Sequence, residues 1–303
     1  MNYQGRLKSI IKASGWSQEQ LASHLNVTFA TLNSWINDRS NPRAKALANI
    51  ERLYFDTIGV DTVDSNVLTA VKSQALKCNM SSEKLVGNKE LLDKLTLYLT
   101  YHTNTIEGST MTLSDVEDVI FDHKVLSNRT AIEQAEARNH HATLHWLVDL
   151  LNQDKKIELS EELILVTHLR LMNGIISDAG KYRNHALRIM GSRITLANYL
   201  KVPELVRLLG TEDSSNYDLI TDMARTHAQF EQIHPFSDGN GRAGRLIMLV
   251  QALGSGIVPP LVRKERKFAY YKGLEKAQTE GVYEPLELFI AEAVLFSQEL
   301  LSI

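Results

Sequence analysis

Apolar positions along the chain recur mostly with the spacing of helices rather than strands. The clearest stripe begins at Lys89. Leu92, Leu95, Leu99, His102 and Ile106 follow every three or four residues, and Gly108 is a natural stop. Leu219, Ile220, Met223, Ala224, Phe230 and Ile233 predict a packed helix over 217–233, ending just before His234, and Leu246, Leu249 and Leu253 predict another over 242–253. Further helices are expected near 114–122, 129–152, 160–173, 203–210, 265–279 and 284–301. One stretch differs: Leu187, Ile189, Ile194 and Leu196 flank Gly191-Ser192 and predict a β-hairpin over 186–196. Nearer the N-terminus the helical patterns are shorter. Ser17 and Gln20 have capping-box spacing, Thr28 can cap a second helix through Leu32 and Trp35, and Asn41-Pro42 closes the unit. Two short helices joined by a tight turn predict a helix-turn-helix domain over 1–57. A polar, aperiodic linker at 58–66 then leads into a mostly helical domain over 67–303. The fold class is all-α, with one small hairpin.

Composition adds limits. Apolar residues make up 44% and charged residues 23%, as in a globular protein rather than a disordered one. No apolar stretch reaches the ~18 residues of a membrane span and no N-terminal run resembles a signal peptide, so a cytoplasmic protein without membrane contact is expected. The lone cysteine, Cys78, excludes an intramolecular disulfide and a cysteine-based metal site; it is read as a small core residue. The net charge of -3 is uneven. Residues 1–50 hold six basic and two acidic residues and are +4, leaving -7 for the remainder.

The candidate chemistry is concentrated at His234-Pro-Phe-Ser-Asp-Gly-Asn-Gly-Arg-Ala-Gly-Arg245. Pro235 cannot comfortably continue the preceding helix, and Gly239 and Gly241 permit positive φ and close backbone approach. A glycine loop entering a helix N-terminus offers unpaired N–H groups to an anion. Arg242 and Arg245, three apart, share one side of that helix, and two cations there oppose the helix dipole unless an anion is present. A polyphosphate meets that need. Asp238 supplies the single carboxylate that Mg²⁺ typically takes beside phosphates and waters. His234, with an ordinary pKa of ~6.5, suits a general base.

This segment resembles the Fic signature, His-Pro-Phe-x-(Asp/Glu)-Gly-Asn-Gly-Arg-x-x-Arg, at every fixed position, and similarity extends over roughly 65–303, including Gly180-Lys181-Tyr182-Arg183. The resemblance implies a Fic fold and AMP transfer from ATP to a Ser, Thr or Tyr hydroxyl of a target protein or of the chain itself. It implies that His234 deprotonates the hydroxyl, Phe236 anchors the loop, Asp238 binds Mg²⁺, and Gly239, Asn240 and Gly241 cradle the α- and β-phosphates. Arg242 and Arg245 would hold the β- and γ-phosphates. Phe236 and Tyr271 complete the expected ATP-binding set, Tyr270 or Tyr271 lying near adenine. The 187–196 hairpin would be the flap that pairs with an extended target segment. Doc kinases of the same superfamily carry lysine where this chain has Gly241, which argues against kinase activity.

Glu107 is out of place at the end of its helix, where the dipole disfavours a carboxylate. Thr103-Asn-Thr-Ile-Glu107-Gly108 matches the family's inhibitory pattern, (Ser/Thr)-x-x-x-Glu-(Gly/Asn). That match implies an inhibitory helix near 90–108 whose Glu107 pairs with Arg245 and blocks the γ-phosphate site. His227 is expected to be buried and hydrogen-bonded, and His140 and His141 structural or solvated. The N-terminal module resembles lambda-repressor-like helix-turn-helix domains. DNA contacts would come from Thr28, Phe29, Thr31 and Asn33, with Ala30 and Ser34 beside them, and from Arg39, Arg43 and Lys45 on phosphates. Its second helix carries no Lys or Arg, and docking to a target or to a second copy remains open. Two alternatives fit the same residues: a DNA-binding regulator that senses ATP, and an enzyme that also removes AMP. Nucleotide choice is open, because a phosphate loop does not inspect the base.

Overall fold

A computed structural model describes residues 3–154, 157, 159–189, 194–209 and 217–302. Among them there is no strand, only one bridge between Asn79 and Ile257. No helix among them is long and apolar enough to cross a membrane.

Four helices form the N-terminal module: α1 (Tyr3–Ser14), α2 (Gln18–His24), α3 (Phe29–Ile36) and α4 (Ala44–Ile58). Ser17 and Gln20 form the capping box on α2, and the Thr28 hydroxyl accepts from the Thr31 N–H to start α3. Leu7, Ile10, Leu21, Leu25, Leu32, Trp35 and Ile50 make a core separate from the rest of the chain. The sequence pattern stopped at Asn41-Pro42 and did not foresee α4, whose Ile50 completes that core.

The expected linker is shorter than 58–66. Asp64 accepts from the N–H groups of Asn66 and Val67, so α5 (Ser65–Ala75) begins within it. The six residues 59–64 left between the helices are also pinned. Gly59, at φ +85°, lies so close to Ala269 that an added Cβ would be 3.0 Å from the Ala269 Cα, and Asp61 pairs with Lys272 at 2.8 Å. Asp56, near the end of α4, accepts from Arg266 through its carbonyl at 3.3 Å.

The larger unit continues with α6 (Ser82–Val86), α7 (Lys89–Ile106), α8 (Leu113–Ile120), α9 (Ala131–Gln153), α10 (Glu161–Met172), α11 (Val202–Leu208), α12 (Leu219–Ile233), α13 (Asn240–Gly254), α14 (Lys267–Glu280) and α15 (Glu284–Leu301). Helix α13 is the axis. It packs against α7, α9, α10 and α12, and most of its residues are buried. That burial places the first turn of α13, with the loop before it, at the meeting point of α7, α10 and α12. The tip of the expected hairpin, residues 190–193, lies outside the described residues. Its flanks, Leu187–Ile189 and Ile194–Leu196, form no ladder among those described.

Candidate active site

Helix α12 ends on His234, whose φ of 49° and ψ of 62° are left-handed. A non-glycine residue adopts that conformation only when its surroundings impose it. Arg183, 3% exposed, imposes it here. Its Nε donates to the His234 carbonyl at 2.7 Å, and its Nη2 donates to the Ala197 carbonyl at 2.6 Å. Its backbone N–H donates to the Pro235 carbonyl at 2.9 Å.

Phe236 is fully buried, its ring 3.6 Å from that of His168 and parallel to it. The Gly180 N–H donates to Nδ1 of His168, so Nε2 carries the proton and donates to the Asp238 carbonyl at 2.9 Å. Burial lowers the His168 pKa to about 4 and keeps it in this neutral form. Asn240, 2% exposed, closes the loop: its Oδ1 accepts from the Phe236 N–H and its Nδ2 donates to the Phe236 carbonyl, both at 2.9 Å. The Phe236 ring is committed to the core, where it anchors the loop. The Asn240 side chain likewise shapes the loop.

Gly239 has the anticipated positive φ, 78°, and an added Cβ there would be 2.7 Å from Met172 Sδ. Gly241 does not, because α13 begins at Asn240 and Gly241 already lies in its first turn. Its requirement is space: an added Cβ would collide with Glu107 Oε1 and stand 3.1 Å from Arg245 Nη1.

The two arginines separate. Arg245 faces a cavity of about 780 Å³ whose walls include Glu107, Glu231, His234, Gly241 and Tyr271. Its Nη2 is 2.5 Å from Glu107 Oε1, and its Nε donates to Thr103 Oγ1 at 2.6 Å. Burial alone would raise the Glu107 pKa, but the Arg245 charge and hydrogen bond, with Arg242 and Lys267 beyond, bring it below the ordinary value. Lys267 Nζ donates to the Ile106 carbonyl and holds the end of α7. Arg242 instead turns inward, 3% exposed, with Nη1 2.5 Å from Glu136 Oε1 and Nη2 3.5 Å from Asp238 Oδ1. The anions that offset two arginines at this helix N-terminus are thus carboxylates of the chain itself, and of the two arginines Arg245 is the one that lines the cavity.

Asp238 is 61% exposed at its side chain, with Oδ1 accepting from the Gly239 N–H. No group of three or more His, Cys, Asp or Glu among the described residues could hold a metal ion. One exposed carboxylate fits Mg²⁺ arriving with a polyphosphate. Tyr270 and Tyr271 both line the cavity; Tyr271 is 40% exposed, whereas Tyr270 is 1% exposed and its hydroxyl lies 2.6 Å from His227 Nε2. His140 is buried and bonded to Thr100, the His141 ring packs at a tilt against His145, and Cys78 is buried. Sequence reasoning passed over Glu136, His168 and Glu231. Only Glu231 carried a local signal, one turn before His234.

On the N-terminal module Phe29 is 47% exposed and Ala30 and Arg39 are exposed, while Thr28 and Thr31 share a hydroxyl contact at 2.8 Å. Asn33 is partly engaged, its Nδ2 donating to Gln18 Oε1 at 3.2 Å.

The Fic/DOC family pattern matches residues 158–252, and a helix-turn-helix pattern matches residues 7–55. The chain carries a Fic domain behind a helix-turn-helix domain. It is 27% identical over 258 residues to a protein adenylyltransferase Fic of Drosophila ananassae, covering 84% of this chain and 50% of that one. It is 26% identical to protein adenylyltransferase fic-1 of Caenorhabditis elegans, covering 77% and 46%. The chain thus spans about half the length of the curated relatives it matches. Among solved structures, a Fic family protein of Desulfovibrio desulfuricans aligns with TM-score 0.63 at 25% identity, over 78% of this chain and 74% of that one. Fic-1 of C. elegans aligns with TM-score 0.67 at 22% identity, over 93% and 83%, a likeness of fold.

Proposed function

We propose that this protein is an autoinhibited AMP-transferase acting from ATP on a protein hydroxyl. The observation that carries the reading is the Glu107 carboxylate on Arg245, set over Gly241 at the first turn of α13 and inside the cavity that holds His234. A helix N-terminus with an arginine is an anion site, and here an internal carboxylate occupies it. ATP reaches Arg245 with its γ-phosphate only if Glu107 withdraws. His234 Nε2 then takes the target's hydroxyl proton. The hydroxyl oxygen bonds to the α-phosphorus, the bond to pyrophosphate breaks, and AMP stays on the target. Asp238 would hold Mg²⁺, which supplies charge neutralisation of the phosphates. Arg242, paired with Glu136, braces the loop beside Asp238. Removal of AMP would be a second use of the site: water bonds to the same phosphorus, the bond to the target oxygen breaks, and that oxygen leaves with a proton.

Labelled ATP added to a cell lysate with wild type, Glu107→Gly or His234→Ala protein tests this. We expect weak labelling, strong labelling and none, respectively. Equal labelling by all three refutes it. A second role, DNA binding by residues 1–57, is favoured by the exposure of Phe29 and Ala30 at the start of α3 and the +4 charge of residues 1–50.

A further inference from the structure

Glu231 stands one turn before His234 on α12, and both line the same cavity. Its backbone carbonyl is 3.3 Å from His234 Nδ1 and its Oε2 is 4.0 Å from the same nitrogen. The carbonyl can only accept, so Nδ1 holds the ring proton and Nε2 presents its lone pair, while Oε2, too far for a hydrogen bond, acts on the ring by its charge. The Glu231 side chain is 12% exposed, and its Oε1 is buried without a hydrogen-bond partner among the described residues. A buried polar oxygen left open is costly and calls for a reason. Room for it comes from α13: a Cβ at Gly244 would be 2.9 Å from Glu231 Oε1.

We propose that Glu231 is a positioning residue for AMP transfer, orienting His234 with Nε2 toward the target hydroxyl and stabilising the imidazolium that forms when Nε2 takes the proton. The inference rests on His234 being the base. The proton passes from the hydroxyl to Nε2, while Nδ1 keeps its own and none passes to Glu231. The oxygen's electron pair forms the bond to the α-phosphorus, and the leaving pyrophosphate takes the pair of the broken P–O bond.

The charged and titratable groups around Glu231 are Arg245 on α13, Glu107 after α7, Tyr270 and Tyr271 on α14, and His227 and His234 at its own helix. Burial raises the Glu231 pKa to about 7, with Arg245 lowering it and Glu107 raising it. Burial holds His234 below 6.5. An ionised Glu231 therefore sets the acid limb of activity, and without it only the lower His234 titration remains.

The test uses the full chain in the Glu107→Gly background. Glu231→Gln should lower kcat about tenfold or more, leave KM for ATP within about twofold and move the acid limb to lower pH. Glu231→Asp should recover part of the loss. An unchanged pH profile overturns the proposal, including one where activity falls together with melting temperature. Long-range ¹H–¹⁵N spectra give a readout that needs no turnover. We expect His234 as the Nδ1–H tautomer in wild type and a lower His234 pKa in Glu231→Gln. An Nε2–H tautomer, or identical titration curves, overturns it. If the Glu107→Gly parent shows no His234-dependent labelling, the transferase reading fails, while the spectra still decide how Glu231 acts on His234.

Discussion

Replacing Glu107 by glycine removes the carboxylate that competes with a γ-phosphate for Arg245. Its magnitude follows from the geometry. Two unit charges with centres about 4 Å apart near a protein surface interact by about 4 kcal/mol. Glu107 keeps 30% of its side chain exposed, so solvent screens part of this, whereas Arg245 is only 7% exposed. A released penalty of about 1.5–3 kcal/mol is reasonable, which is roughly 10–100-fold in the population of ATP-competent sites. Glu107→Gln keeps the shape without the charge and should fall between. Glycine should also leave Arg245 buried with fewer partners, since its Nη1 already has none among the described residues. The melting temperature without nucleotide should therefore fall by about 2–5 °C, with ATP restoring more of it than in wild type. The assay pairs label transfer with calorimetric ATP affinity. A variant that labels no faster and binds ATP no tighter refutes competition at Arg245.

Three further outcomes follow from other contacts. Glu136→Ala leaves the Arg242 guanidinium, 3% exposed, without its 2.5 Å partner; denaturant unfolding should show a loss of about 3 kcal/mol, and an unchanged midpoint would mean that Glu136 does not brace the loop. Stability should fall with acid from pH 6.5 downward. Burial lowers the pKa of His140 and His227 to about 3, and that of His102, His141 and His168 to about 4, so below 6.5 the unfolded chain binds protons that the fold refuses. Glu231, raised to about 7, acts in the opposite direction but is one group; a melting temperature that stays flat from pH 7 to 5 contradicts this balance. The chain should bind duplex DNA in anisotropy measurements with an affinity that falls as salt rises, and Arg39→Ala should weaken every sequence by a similar factor. Binding that ignores salt would remove the DNA reading.

Much of the site could be read in one dimension because its chemistry is local. The loop from His234 to Arg245 is contiguous, its glycine and proline punctuation is intrinsic to the backbone, and caps such as Ser17 with Gln20 act within four residues. The stripe from Leu92 to Ile106 specified α7 and left Glu107 at its end, so the pair with Arg245 could be expected from the family pattern. Helix α4 was not legible, since its value lies in Ile50 filling a core built by three other helices.

What the tertiary structure alone decided is the use of each group. The sequence made Arg242 and Arg245 equivalent; the fold sent one to Glu136, 106 residues away, and the other to Glu107, 138 residues away. Gly241 was expected to permit a backbone angle and instead leaves space for a carboxylate from α7. Arg183 and His168 secure the loop from separate segments, and Glu231 gains its significance from α13 burying it beside His234. Local sequence determines backbone conformation and the supply of reactive groups. Which charge meets which, and which imidazole nitrogen is left open, depends on packing between elements distant along the chain, and burial there gives those contacts their strength.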